Sequence, residues 1–131
     1  MNLDSILEHG CQISSSGTTG YPKTIFRTPE NLQSCIDSAI KGQSLTKNSS
    51  VYTVTRMTHA GGLLLQTLPA HTLGCTIEIE KFNAYTFLKH FKRHTHTFLA
   101  PAMCEAVINT KGFKTADLNG KYVAMGSDPI P

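Results

Sequence analysis

The ten residues Ser14 to Lys23, SSSGTTGYPK, place five hydroxyl side chains, two glycines and one lysine in a single run. Glycine lets a backbone turn tightly and brings its N–H groups close to an anion. Serine and threonine hydroxyls add donors, and lysine adds a point charge suited to phosphate. The run therefore has the parts of a loop that grips phosphate oxygens. It does not follow the G-x-x-x-x-G-K-[ST] pattern, because counting from Gly17 puts Pro22 where the second glycine belongs. A β-prone segment rather than a helix follows Lys23. On residue types alone, an anion-binding loop and a plain polar turn both fit.

Other residues could also do chemistry. His59 precedes Gly61 and Gly62, and glycines there suit a close approach of backbone to a ligand. A lone histidine is otherwise a turn residue with ordinary hydrogen bonds. His90, His94 and His96 lie in HFKRHTH, and the i, i+4 pair could chelate on a helix. No acid or thiol lies nearby in sequence, and Lys89, Lys92 and Arg93 would repel a cation. The segment reads instead as a basic helix C-terminus favoured by the macrodipole, and no metal site is expected. Cys11, Cys35, Cys75 and Cys104 show no C-x-x-C or zinc spacing, so four reduced thiols in the cytoplasm are expected.

The elements that position these residues follow from periodicity. Gln12–Ser14 and Thr24–Arg27 are short strands flanking the hydroxyl run. Thr28-Pro29-Glu30 supplies an N-cap, a proline at the first helical position and an acid in the first turn. Leu32, Cys35, Ile36, Ala39 and Ile40 then repeat as one helical face that stops near Gly42. Val51–Thr55, Cys75–Glu80, His96–Leu99 and Lys121–Met125 read as strands. Residues 60–72, Ala84–Arg93 and Pro101–Asn109 read as helices, with Pro69 kinking or ending the first. Phe87, Leu88 and Phe91 face inward on the second, and Asp117–Gly120 is a turn. Strand and helix alternate, which predicts an α/β fold with right-handed βαβ units and a largely parallel sheet covered on both faces.

A chain of 131 residues with 40% hydrophobic and 16% charged residues suits one soluble domain, residues 1–131. The net charge of +3 is too mild to argue for nucleic acid or a membrane surface. The first ten residues have neither a basic region nor a long apolar run, so no signal peptide is expected. No apolar segment approaches the ~20 residues of a membrane helix.

The run from Ser15 to Lys23 resembles the phosphate-loop signature of the adenylate-forming (AMP-binding) superfamily. This group includes acyl- and aryl-CoA ligases, peptide-synthetase adenylation domains and luciferases. Thr58-His59-Ala60-Gly61-Gly62-Leu63 is similar to the family's histidine-plus-glycines segment at the mouth of the acyl pocket. Thr76–Ile79 and Thr97–Pro101 resemble the two strands that follow. Gly126–Pro131 resembles the G-x-x-P-[LI] segment that lines the adenine. The likeness runs from about Ile13 to Pro131, in the family's order and spacing.

The resemblance implies a partial doubly wound sheet equivalent to part of the ligase large domain. It implies ATP or AMP with Mg²⁺ as cofactors, and a carboxylic acid activated as acyl-AMP. Ser16, Gly17, Thr18, Thr19, Gly20 and Lys23 would hold phosphate, His59 would sit beside the acyl group, and Gly126, Ser127 and Pro129 would wall the adenine. Asp128 replaces a usually small residue, and Met57 and Thr58 also depart from the family pattern. The family's Y-G-x-T-E segment, ribose-binding aspartate and C-terminal lysine have no match, and Lys111, Lys114 and Lys121 fit no part of that lysine's motif. Little catalysis by the chain alone is therefore expected. An alternative is a non-enzymatic assembly or partner-binding module, with exposed sheet edges inviting a homo-oligomer or a complementing chain.

Overall fold

The computed structural model describes residues 2–15, 23–55 and 61–125, with the side chains of 14, 15, 23, 24, 61 and 62 excepted. An N-terminal helix, α1 (Leu3–His9), is capped by Asn2, whose Oδ1 accepts from Ser5 N at 3.1 Å. The sequence reading passed over this helix. Strands β1 (Cys11–Ser15) and β2 (Lys23–Arg27) pair antiparallel with Ser15 opposite Lys23. They form their own two-stranded ribbon, outside the parallel sheet. Gly10 joins α1 to this ribbon at φ 83°, and a Cβ there would lie 2.3 Å from the Arg27 carbonyl oxygen. Only glycine meets both conditions.

Helix α2 (Pro29–Gln43) starts as the sequence dictates, with Thr28 Oγ1 accepting from Asn31 N at 3.2 Å. It buries Leu32, Ile36 and Ala39. The parallel sheet holds β3 (Ser50–Thr53), β4 (Thr76–Ile79), β5 (His96–Leu99) and β6 (Tyr122–Met125) in the order β4-β3-β5-β6. Both β3 and β5 are internal, and β5 is buried along its length, as expected of a parallel strand covered on both faces.

Two helical layers cover the sheet. A π-helix (Gly61–Thr67) continues into α3 (Leu68–Leu73) and packs with α2 on one face. Helices α4 (Ala84–Phe91) and α5 (Pro101–Ile108) pack together on the other, followed by a 3-10 turn (Lys111–Thr115). The alternation along β3 divides the core accordingly. Val51 joins Leu45 and Ala70, whereas Tyr52 and Val54 join Phe87, Phe91, Leu99 and Val107. Leu88 packs against this second cluster, as its helical position predicts.

Pro69 does not end its helix. It stands at the change from π to α geometry inside a continuous helix, and the Leu65 carbonyl four residues before it, which gets no N–H from Pro69, accepts from Gln43 instead. The wider π-helix needs outside partners, and Gln43 supplies one. Its Nε2 donates to the Leu65 carbonyl and, at 3.3 Å, to Ala39 O, while its Oε1 accepts from Gln66 Nε2 at 3.0 Å. The Gln43 carbonyl accepts from His96 Nε2 on β5 at 2.9 Å. Gln43→Ala leaves Leu65 O and the Gln66 amide buried without this partner. It should destabilise the fold by about 2 to 4 kcal/mol, read as a lowered urea midpoint with unchanged slope. An unchanged midpoint would show that the π-helix does not depend on it.

Candidate functional site

Because β3, β5 and β6 run parallel, their C-terminal ends share one edge of the sheet. Residues 56–60 follow from the β3 end and residues 126–131 from the β6 end. Strands β3 and β5 are neighbours, but the chain leaves β3 for β4 on one side and β5 for β6 on the other. Such a switch point, outside the carboxyl ends of the strands, is where open α/β sheets bind ligands. Val54, Thr55, Glu80, Phe82 and Met103 help line an open cavity of about 450 Å³ here. Thr55 Oγ1 is buried without a hydrogen-bond partner among the described residues.

The ribbon is tied to this edge through the core. Ile13 on β1 shares one apolar cluster with Leu32 and Ile36 of α2 and with Leu63 and Leu64 of the π-helix. Leu63 stands three residues after the 56–60 segment, and Ile13 three before residue 16.

Of the residues singled out by sequence, Ser16, Gly17, Thr18, Thr19, Gly20, His59, Gly126, Ser127 and Pro129 lie outside the described residues. Lys23 is placed by its backbone as the first residue of β2, opposite Ser15. Gly61 and Gly62 open the π-helix, a geometry that recurs at functional sites.

Sequence reading found no acid beside the histidines, and the fold corrects this. Glu78 on β4 and Glu80, just past its end, meet the end of α4 and the turn after it. Glu78 Oε1 accepts from Arg93 Nη2 at 3.0 Å and lies 2.8 Å from His94 Nε2. Ser50 Oγ is 2.6 Å from His94 Nδ1 on the other side of that ring. His90 Nδ1 lies 3.3 Å from both Glu80 Oε2 and the Tyr52 hydroxyl. Tyr52 stacks on His94 with ring centroids 5.1 Å apart. Burial, reinforced by the charges of Glu80 and Glu78, pushes the Tyr52 phenol up to about 12. The hydrogen bonds from His94 and Arg93 hold the Glu78 carboxyl below its ordinary value. These side chains form a seam that ties edge strand β4 to α4. The sequence holds the acids two apart, Glu78 and Glu80, and the histidines four apart, His90 and His94, but strand order alone brings the two pairs together.

Comparison with known proteins now bears on the edge. The family model described as "AMP-binding enzyme" matches residues 12–131. The chain is 31% identical over 121 residues to an indoleacetate–CoA ligase of Aromatoleum aromaticum, covering 89% of this chain and 24% of that protein. It thus spans about a quarter of that relative's length. Among solved structures, the inhibitor-bound N-terminal domain of FACL13 from Mycobacterium tuberculosis superposes with TM-score 0.77 at 22% identity, covering 92% of this chain and 31% of that one. The anthranilate CoA ligase AuaEII in complex with anthranoyl-AMP gives TM-score 0.76 at 18% identity over 93% of this chain and 25% of that one. These likenesses show the fold.

The seam sets an acid limit on the fold. A glutamate whose folded pKa is lowered leaves the unfolded chain holding more protons, so stability rises with pH across that window. The Glu78 contribution should be fully present above the ordinary glutamate pKa of about 4.3 and be lost as pH falls through the lowered folded value. Glu78→Gln should flatten the acid limb of stability against pH. An acid limb identical in wild type and variant would assign it to other carboxylates.

Proposed function

Since the chain belongs to the AMP-binding enzyme family, we propose that it holds the phosphates of ATP on the Ser16–Lys23 run, as part of a ligase that activates a carboxylic acid as its acyl-AMP. One observation carries the reading. The β1–β2 ribbon opens and closes the run at Ser15 and Lys23, and the same core cluster fastens it to the π-helix at the switch-point edge. Ser16, Gly17, Thr18, Thr19, Gly20 and Lys23 grip phosphate in this proposal. His59 borders the acyl group, and Gly126, Ser127 and Pro129 wall the adenine, since residues 56–60 and 126–131 follow two strands ending at that edge. The indoleacetate–CoA ligase relative favours an aromatic acid as the substrate.

ATP brings the phosphorus that the carboxylate attacks. The chain's own contribution is to position the phosphates and offset their charge with Lys23 and backbone N–H groups. Magnesium would enter with ATP, held through the phosphates and offsetting their charge; among the described residues no group of three or more His, Cys, Asp or Glu side chains stands together.

A second reading, an assembly module, rests on a groove of about 760 Å³ between α2, the π-helix and β6. Leu65, Tyr122, Val123 and Met125 are all more than a third exposed there, and β6 is a sheet edge. A complementing ligase segment or a second copy would cover it.

ATP near 100 times its dissociation constant should stabilise the protein by about 2.7 kcal/mol, several degrees in a thermal melt. Lys23→Ala should remove most of that shift while leaving the unliganded melt unchanged. No shift at millimolar ATP would sink the phosphate reading. Concentration-dependent mass by light scattering would then support the assembly reading, and a monomer throughout would remove it as well.

A further inference from the structure

One face of α4, from Tyr85 to Lys92, the C-terminal end of α5 and the 3-10 turn enclose a third cavity, of about 560 Å³. Each of these helices ends where the chain turns toward the next strand, β5 or β6, so Lys92, Asn109 and Lys111 lie toward the end of the sheet opposite the switch point, with Tyr85 at the other end of α4. Lys89, Lys92 and Lys111 line it, all exposed and, among the described residues, none in a salt bridge. Tyr85, 90% exposed, and Leu88 give it an apolar side, and the exposed Asn109 adds an amide.

Lysines at a helix end ordinarily answer its dipole. Here that role is filled by another residue. Lys121 Nζ donates to the carbonyls of Phe91, Lys92 and His94 at 3.1, 3.2 and 2.5 Å. At the end of α5, Thr110 Oγ1 donates to Val107 O at 2.7 Å. Arg93, the remaining cation of this turn, is engaged by Glu78. Among the described residues, Lys89, Lys92 and Lys111 are thus left without an ion-pair partner around one concavity, where like charges focus a positive potential.

We propose that this cavity binds a small phosphate monoester carrying a planar ring, independently of the nucleotide reading above. Three ammonium groups match the charge of about −1.5 to −2 on a phosphate monoester at neutral pH. The exposed Tyr85 ring offers a stacking face beside them. The size and concavity suit a small molecule, since such pockets run from about 300 to 1,000 Å³.

The test is an amide NMR titration of the ¹⁵N-labelled chain with phenyl phosphate, in wild type, Lys89→Ala/Lys111→Ala, Lys89→Arg/Lys111→Arg and Lys23→Ala. The expected result is saturable shifts confined to residues 85–92 and 109–116, kept in Lys23→Ala. The double alanine variant should bind at least about tenfold more weakly, and the double arginine variant should restore binding. The spectrum itself reports whether each variant is folded. Unsaturable shifts at lysines all over the surface would overturn the proposal, as would shifts confined to residues 16–23. An acidic peptide saturating the same amides more tightly than phenyl phosphate would replace the small ligand with a protein partner.

Discussion

Gln43 is the join on which the arrangement rests. It is the last residue of α2, and its backbone and side chain together engage α2 itself, the π-helix and β5. Remove it, and the α2 layer is held to the sheet mainly by nondirectional apolar contact. A buried amide that satisfies carbonyls and another amide fixes geometry in a way that apolar packing does not. Thr53 and Thr67 extend the join, with their hydroxyls 3.0 Å apart beneath the π-helix. The π-helix therefore has a fixed seat, and the segment preceding it leaves β3 from a defined edge.

The functional reading depends on that seat. A ribbon alone would present residues 16–22 without direction, since an isolated hairpin is marginal in water. Here the ribbon is bound at both ends. Gly10 presses its far end against Arg27, and Ile13 enters the cluster that holds Leu63 and Leu64. Lys23, as the first residue of β2, is placed by strand pairing rather than by a free loop. The opposite layer contributes separately. There β4, an edge strand with Ile79 54% exposed, is held by the Glu78 and Glu80 seam rather than by deep burial.

Much of this was legible in sequence because local signals agreed with the fold. Thr28-Pro29-Glu30 announced α2, and the apolar repeat behind it gave the buried face. His96–Leu99 was readable as a strand to the residue. Helix α1 carried its own signal in Asn2 and the Leu3, Ile6, Leu7 spacing. The π-helix had no local signature, because its widened turn depends on a glutamine from another helix. The acid–histidine seam was equally hidden, since strand order decides which acids face α4. The hydroxyl run and the adenine-like segment were conspicuous by composition, yet composition alone left a polar turn equally open. The family match over residues 12–131 resolved the family, and the strand order supplied the edge.

Hydrogen–deuterium exchange of the whole chain, with and without ATP, addresses the central claim that two separated segments make one nucleotide site. ATP should slow exchange together in residues 16–23 and 126–131, with the far ends of the parallel strands unaffected. Protection confined to one of these segments, or appearing only at the opposite edge of the sheet, would contradict a shared site.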